Sequence, residues 1–183
     1  LNACGDGGFV TTDDSNVATR IRQLRNHGMS DRNTVEEFAT VARMDSLQAA
    51  ILLARLDKLN AVSDARRQNA GLYRQLLDPA LVYVPPCRSV EHNTFHTFVI
   101  QVDERDGLQA HLKALGIGTA IHYPIPIHLQ PAAKSLGFGP GDFPVTESQA
   151  ERILTLPVHQ YLTDSDIHRV ADAVNTYLSR RAA

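Results

Sequence analysis

The chain has 183 residues, of which 43% are hydrophobic and 21% charged, and its formal net charge is -2 at pH 7. That balance suits a soluble globular protein with a real core and excludes a chain disordered throughout. With no basic run and no apolar stretch of about 18 residues, neither nucleic acid nor an anionic membrane surface nor a membrane span is indicated.

Cys4 and Cys87 are far apart and outside any CxxC spacing, so neither a disulfide framework nor a zinc site is suggested. A reducing, cytoplasmic setting is the expectation. The opening "LNACGDGG" has no initiator methionine and begins on turn-like glycines, which reads as a piece of a longer protein.

In chain order, "GFVTT" (8–12) is a β-branched run after glycines and is expected to form a strand. "DDSNVATRIRQLRNHG" (13–28) reads as a helix with polar N-cap choices, an apolar stripe of Val17, Ile21 and Leu24, and a stop at Gly28. Residues 29–44 are polar and irregular. From Asp45, placed as an N-cap whose carboxylate accepts the first free N–H groups, a helical pattern runs to about Leu77. Leu47, Ala50, Ile51, Ala54, Leu56, Leu59 and Val62 give it a broad apolar face, and its length calls for a kink or a bridge between domains.

Past Pro79, Pro85 and Pro86 the pattern changes. "TFHTFVIQV" (94–102) alternates as a strand, "RDGLQAHLKALG" (105–116) reads as an amphipathic helix closed by Gly116, and "GTAIH" (118–122) as another strand. "PVTESQAERILTLP" (144–157) and "TDSDIHRVADAVNTYLSR" (163–180) read as two further helices. The expected class is α/β, with a boundary near residues 78–88 and a compact unit after it.

Between the last strand and these helices lies "AIHYPIPIHLQP" (120–131), with two histidines, a tyrosine and three prolines. Pro124, Pro126 and Pro131 fix φ and lack a donor, so the segment is expected to be a stiff loop with its polar side chains displayed. It is either a connection whose histidines face water or a rigid display of binding or catalytic groups. His122 and His128 have no carboxylate or cysteine at a useful short spacing, which disfavours metal. "GDGG" (5–8) follows no strand and opens no helix, so it reads as a tight turn and not as a phosphate cradle. Arg43, between apolar neighbours, is either a solvated arginine or a planar fork for a carboxylate or phosphate. Composition and spacing name no reaction.

Taken together and in order, "ACGDGGFVTTDD", "IRQLRNHGMSD", "RMDSLQAAIL", "LGIGTAIHYPIPIHLQP", "GDFPVTESQAERILTLPVH" and "LTDSDIHRVADAV" resemble the DegT/StrS-type nucleotide-sugar aminotransferases over nearly the whole chain. The resemblance implies a fold-type I, aspartate-aminotransferase-like architecture, pyridoxal phosphate as cofactor, and a homodimer with active sites at the subunit interface. It implies transfer of an amino group from glutamate or a similar donor to a nucleotide-linked keto sugar, and "HYPIPIH" (122–128) is similar to the branch acting at C3.

On the same resemblance, residues 1–78 would close the cofactor-binding large domain and its connecting helix, and residues 79–183 would form the small domain. The family's Schiff-base lysine stands just before "LxxxGDGG" and would lie upstream of Leu1; Lys58, Lys113 and Lys134 match no family position. Val41 occupies the place of an asparagine that reaches the partner's cofactor phosphate, so that contact would be absent or rebuilt. Arg43 matches an arginine that can face substrate across the dimer, His122 and Tyr123 the pair that approaches the sugar, and His128 the later histidine of the loop. The alternative is a lysine-free relative serving as a sensor or binding module.

Overall fold

Asp14 starts the first helix. In the computed structural model, which describes residues 2–88 and 90–182, its carboxylate accepts from the backbone N–H of Asn16 at 2.8 Å and of Val17 at 3.2 Å. Two otherwise orphaned donors are thereby satisfied, and α1 runs over Ser15–Leu24. It ends earlier than the expected stop, at Leu24 with Arg25 as its C-cap; Gly28 follows at φ +72°, its N–H donates to the Gln23 carbonyl at 2.9 Å, and a Cβ there would collide with the Glu37 carbonyl. Leu1, beside which the family lysine would stand, lies outside the described residues.

Three expectations for the first part of the chain are corrected. "GFVTT" forms no strand among the described residues; Phe9 is 72% exposed there, and with no ladder partner a short apolar run has nothing to hold it extended. Residues 29–44 are less irregular than their polarity suggests, since the chain folds back through antiparallel bridges at Asn26–Val41 and Met29–Val35. Asp45 does occupy the N-cap of α2 (Ser46–Leu56), but its side chain makes no cap bond; its backbone carbonyl takes the Ala49 N–H at 3.0 Å.

The long helical pattern breaks at Asp57 and Lys58, and α3 follows over Leu59–Leu76. Two compact units result, Leu1–Asn60 and Ala61–Ala183. The division falls in the first turn of α3 because the rest of α3 buries Ala70 and Tyr73, with Leu77 just beyond its end, in the second core. Tyr73 is anchored twice. Its ring stacks on Phe98 at 4.9 Å, and its hydroxyl donates to the Pro157 carbonyl at 2.9 Å.

The centre of that core is a small antiparallel ladder. β1 (Phe98–Gln101) pairs with β2 (Ile153–Leu156) in the register Phe98 to Leu156 and Ile100 to Leu154. Single bridges extend it on both sides, Tyr83 to Gln101 and Ala120 to Thr155. α4 (Arg105–Ala114) contributes Leu108 and Leu112. α6 (Asp164–Ala182) contributes Ile167, Val170, Ala171, Val174 and Leu178, one stripe at helical spacing.

Strand expectations were too long and one helix too. "TFHTFVIQV" is a strand only at Phe98–Gln101, and "GTAIH" reduces to the single bridge at Ala120. α5 covers only Pro144–Arg152, where the expectation carried it to Pro157. Ile153 turns extended, and Ile153–Leu156 leave the helix to pair with β1. Pairing buries Leu154 and Leu156 completely or nearly so, a gain that a continued surface helix would forgo.

Candidate functional site

The backbones of Ala120 and Thr155 exchange both hydrogen bonds, at 2.7 and 3.2 Å, which lays the chain leading to His122 along β2. Two residues further on, His122 Nδ1 lies 2.9 Å from the Thr155 hydroxyl. Thr155 is buried and His122 exposed, so one ring nitrogen is held by the fold while the ring itself stands at the surface. Tyr123 is 73% exposed and meets the imidazole edge-on, with centroids 5.4 Å apart and an interplanar angle of 89°. The two side chains form a short polar wall.

Beyond them the loop departs from expectation. Ile127–Leu129 and Pro131–Leu136 are 3₁₀ turns, with Pro131 in the first turn of the second, where its missing N–H costs nothing. His128, expected on display, is buried. Its Nε2 lies 3.0 Å from Glu147 Oε1, and its ring is 4.7 Å from that of Phe143. Glu147 also accepts from the backbone N–H of Gly141 at 2.9 and 3.0 Å and of Phe143 at 3.3 Å. The Gly141 N–H above all, and then His128, hold the Glu147 carboxyl below the ordinary glutamate range, against an opposing effect of burial. His128 is therefore a tie between the loop and the start of α5.

Val41 and Arg43 belong to the first unit and both engage Asn26. Val41 is 54% exposed and pairs with Asn26 through the backbone. Arg43 is exposed, and its guanidinium donates to the Asn26 side-chain carbonyl. One N–H of the fork is used; the remainder is available to an anion.

Two residues that sequence reasoning left without a role emerge here, Thr155 and Glu147. On sequence pattern alone both fall within one expected helix, 144–157. For Thr155 the overlooked signal is "ILTL", four residues that fit a strand as well as a helix. For Glu147 it is the proline-started helix behind a glycine turn, where an acidic side chain in the first turn meets free N–H groups.

Lys58, Lys113 and Lys134 are all exposed, on the junction before α3, on α4 and on the second 3₁₀ turn. An imine-forming lysine needs an amine whose proton is made labile by burial or by a neighbouring cation. Lys58, Lys113 and Lys134 are not buried, and none of them is brought beside His122 or Tyr123 by a hydrogen bond. Among the described residues there is also no group of three or more His, Cys, Asp or Glu arranged to hold a metal, and no helix long and apolar enough to cross a membrane.

The profile of the DegT/DnrJ/EryC1/StrS aminotransferase family matches residues 1–175. The erythromycin biosynthesis sensory transduction protein EryC1 of Saccharopolyspora erythraea is 42% identical over 164 residues, covering 89% of this chain and 45% of that protein. UDP-N-acetyl-3-dehydro-α-D-glucosamine 3-aminotransferase of Acidithiobacillus ferrooxidans is 37% identical over 178 residues, 97% of this chain and 48% of that protein. Among solved structures, DesV of S. venezuelae superposes with a TM-score of 0.93 at 36% identity, over 98% of this chain and 49% of the other. The chain thus spans about half the length of the relatives it matches.

Proposed function

The chain belongs to the DegT/DnrJ/EryC1/StrS aminotransferase family, and we propose that it serves pyridoxal-phosphate-dependent transfer of an amino group to a nucleotide-linked keto sugar at C3. Glutamate or a similar amino acid is the donor in this reading. The 3-aminotransferase named among the relatives supports the position and the substrate class. The observation that carries the proposal is the wall of His122 and Tyr123, exposed at its surface yet pinned at its base by Thr155. A hydroxyl-rich ligand is positioned well by such a wall, because a loose loop would lose entropy at each binding event.

Pyridoxal phosphate, when bound, supplies the electron sink. These residues do not hold its covalent anchor, and their part is to bind and orient. His122 and Tyr123 offer hydrogen bonds to sugar oxygens; Arg43 offers two parallel N–H groups to a carboxylate of the donor or another anion. In the first unit Phe9, Phe38, Leu47 and Leu53 are exposed, which supports further protein against that unit and, in this reading, a homodimer.

A second reading, a ligand-binding sensor without turnover, is favoured by the name of EryC1. Incubating the intact protein with pyridoxal phosphate, glutamate and a nucleotide-linked 3-keto sugar separates the two. The enzyme reading expects an amino sugar bearing nitrogen at C3, detected by mass and NMR. Tight binding of the nucleotide sugar with no amination by any donor would give the sensor reading its place.

A further inference from the structure

We propose that Thr155 is a positioning residue that fixes the tautomer of His122, so that the histidine presents an Nε2–H donor to an oxygen of the sugar. The inference rests on the proposed function for its ligand and on the geometry of β2 for its mechanism.

Thr155 cannot move freely. Its N–H and carbonyl are both tied to Ala120, it stands opposite Val99 in the ladder, and its side chain is buried. A buried hydroxyl proton without an acceptor is costly. Among the described residues the hydrogen-bond partner of the Thr155 hydroxyl is His122 Nδ1, at 2.9 Å. The hydroxyl therefore donates, Nδ1 accepts, and in the neutral ring the proton must reside on Nε2. The opposite tautomer would leave the threonine proton unpaired inside the sheet.

Specificity follows from this polarity. A donor at Nε2 pairs with any oxygen, including a carbonyl that has no proton of its own, whereas an acceptor there would require a hydroxyl. His122 is thus set to bind a keto sugar before amination. Its ring is steered further by the edge contact with Tyr123. Such a group, held by a neighbour outside the ligand's reach, is the supporting layer that precise substrate placement requires.

Thr155→Val keeps the shape and removes the hydroxyl; Thr155→Ser keeps the hydroxyl. Both are made in the intact protein with ¹⁵N-labelled histidine, and long-range ¹H–¹⁵N correlation at about pH 8, where an ordinary imidazole is neutral, reads the tautomer. The His122 signal is assigned by its loss in His122→Gln. The expected result is an Nε2–H ring in the parent and in Thr155→Ser, and a mixed or Nδ1–H ring in Thr155→Val. Turnover of the nucleotide sugar should fall roughly ten-fold in the valine variant and recover in the serine variant, with the donor half-reaction nearly unchanged. An Nδ1–H ring in the parent, or an unaltered ring in Thr155→Val, overturns the inference. Equal loss in both half-reactions without rescue by serine overturns it too, since that marks a merely structural threonine. Absence of amination in the parent would instead refute the functional reading, because the nitrogen signals are read without any substrate.

Discussion

Glu147 Oε1 lies 3.0 Å from His128 Nε2 while the same carboxylate takes the Gly141 N–H on both oxygens. One side chain thereby joins the proline-rich loop, the glycine turn and the first turn of α5. Glu147→Ala should lower the thermal midpoint and loosen residues 137–144, seen as faster amide exchange there. The charge also has a pH signature. Because the folded-state pKa of Glu147 is lowered, chiefly by Gly141, the stabilisation is complete above the ordinary glutamate range of about 4.3 and is lost as pH falls through the lowered value. Glu147→Gln should remove that acid-side loss while retaining neutral hydrogen bonds; an unchanged acid-unfolding curve would show that the carboxylate contributes no charge-dependent stability.

Tyr73 is held in the core by both its ring and its hydroxyl. Removing its hydroxyl in Tyr73→Phe leaves the Pro157 carbonyl without its partner inside the protein, which costs about 1–3 kcal/mol. Tyr73→Ala also opens a cavity against Phe98 and should cost roughly 3–5 kcal/mol. Urea unfolding of the intact protein measures both. A phenylalanine variant as stable as the parent would mean that water takes over the bond to Pro157.

The helices α1, α4 and α6 could be placed from sequence because each carries its own evidence: a capping aspartate, a closing glycine, or an apolar stripe at helical spacing. β2 could not be, since "ILTL" continues a helical run and becomes a strand only through pairing with β1, far away in the chain. The same long-range dependence hid the site. His122 and Tyr123 announced themselves as polar residues among prolines, but Thr155 gains its role only when the ladder brings it to Ala120. His128 departs from expectation for a related reason: a histidine in a proline loop reads as displayed until an acid from a different helix is found beside it. The backfolding of residues 25–42 rests on paired backbone groups, which leave no trace in side-chain pattern.

Arg43 and Val41 test the first unit. Arg43→Lys removes the planar fork, and a lysine cannot make two parallel bonds to a carboxylate, so the donor half-reaction should slow about ten-fold with the fold retained. Single-turnover absorbance with glutamate and with other donors checks this. Unchanged rates with every donor would reduce Arg43 to its observed bond with Asn26. Val41→Asn should leave cofactor affinity equal or tighter, because it adds a donor at an exposed position that has none. A marked loss of cofactor would show that the valine itself packs into the site.

His122 and Tyr123 carry the central prediction. A hydrogen bond to a neutral partner contributes about 0.5–1.5 kcal/mol net, but a sugar hydroxyl left unpaired in a closed site costs more, about 1–3 kcal/mol. His122→Ala and Tyr123→Phe should therefore each lower kcat/KM for the nucleotide sugar by roughly ten-fold or more. The two variants should combine less than additively, because the two rings are in a perpendicular contact and each steers the other. The amino-donor half-reaction should suffer less, since a small amino acid does not reach the sugar wall. Separate single-turnover measurement of the two half-reactions decides the matter. Equal losses in both would move the pair from substrate binding to support of the fold, and no loss in either would leave the loop a solvent-facing connection.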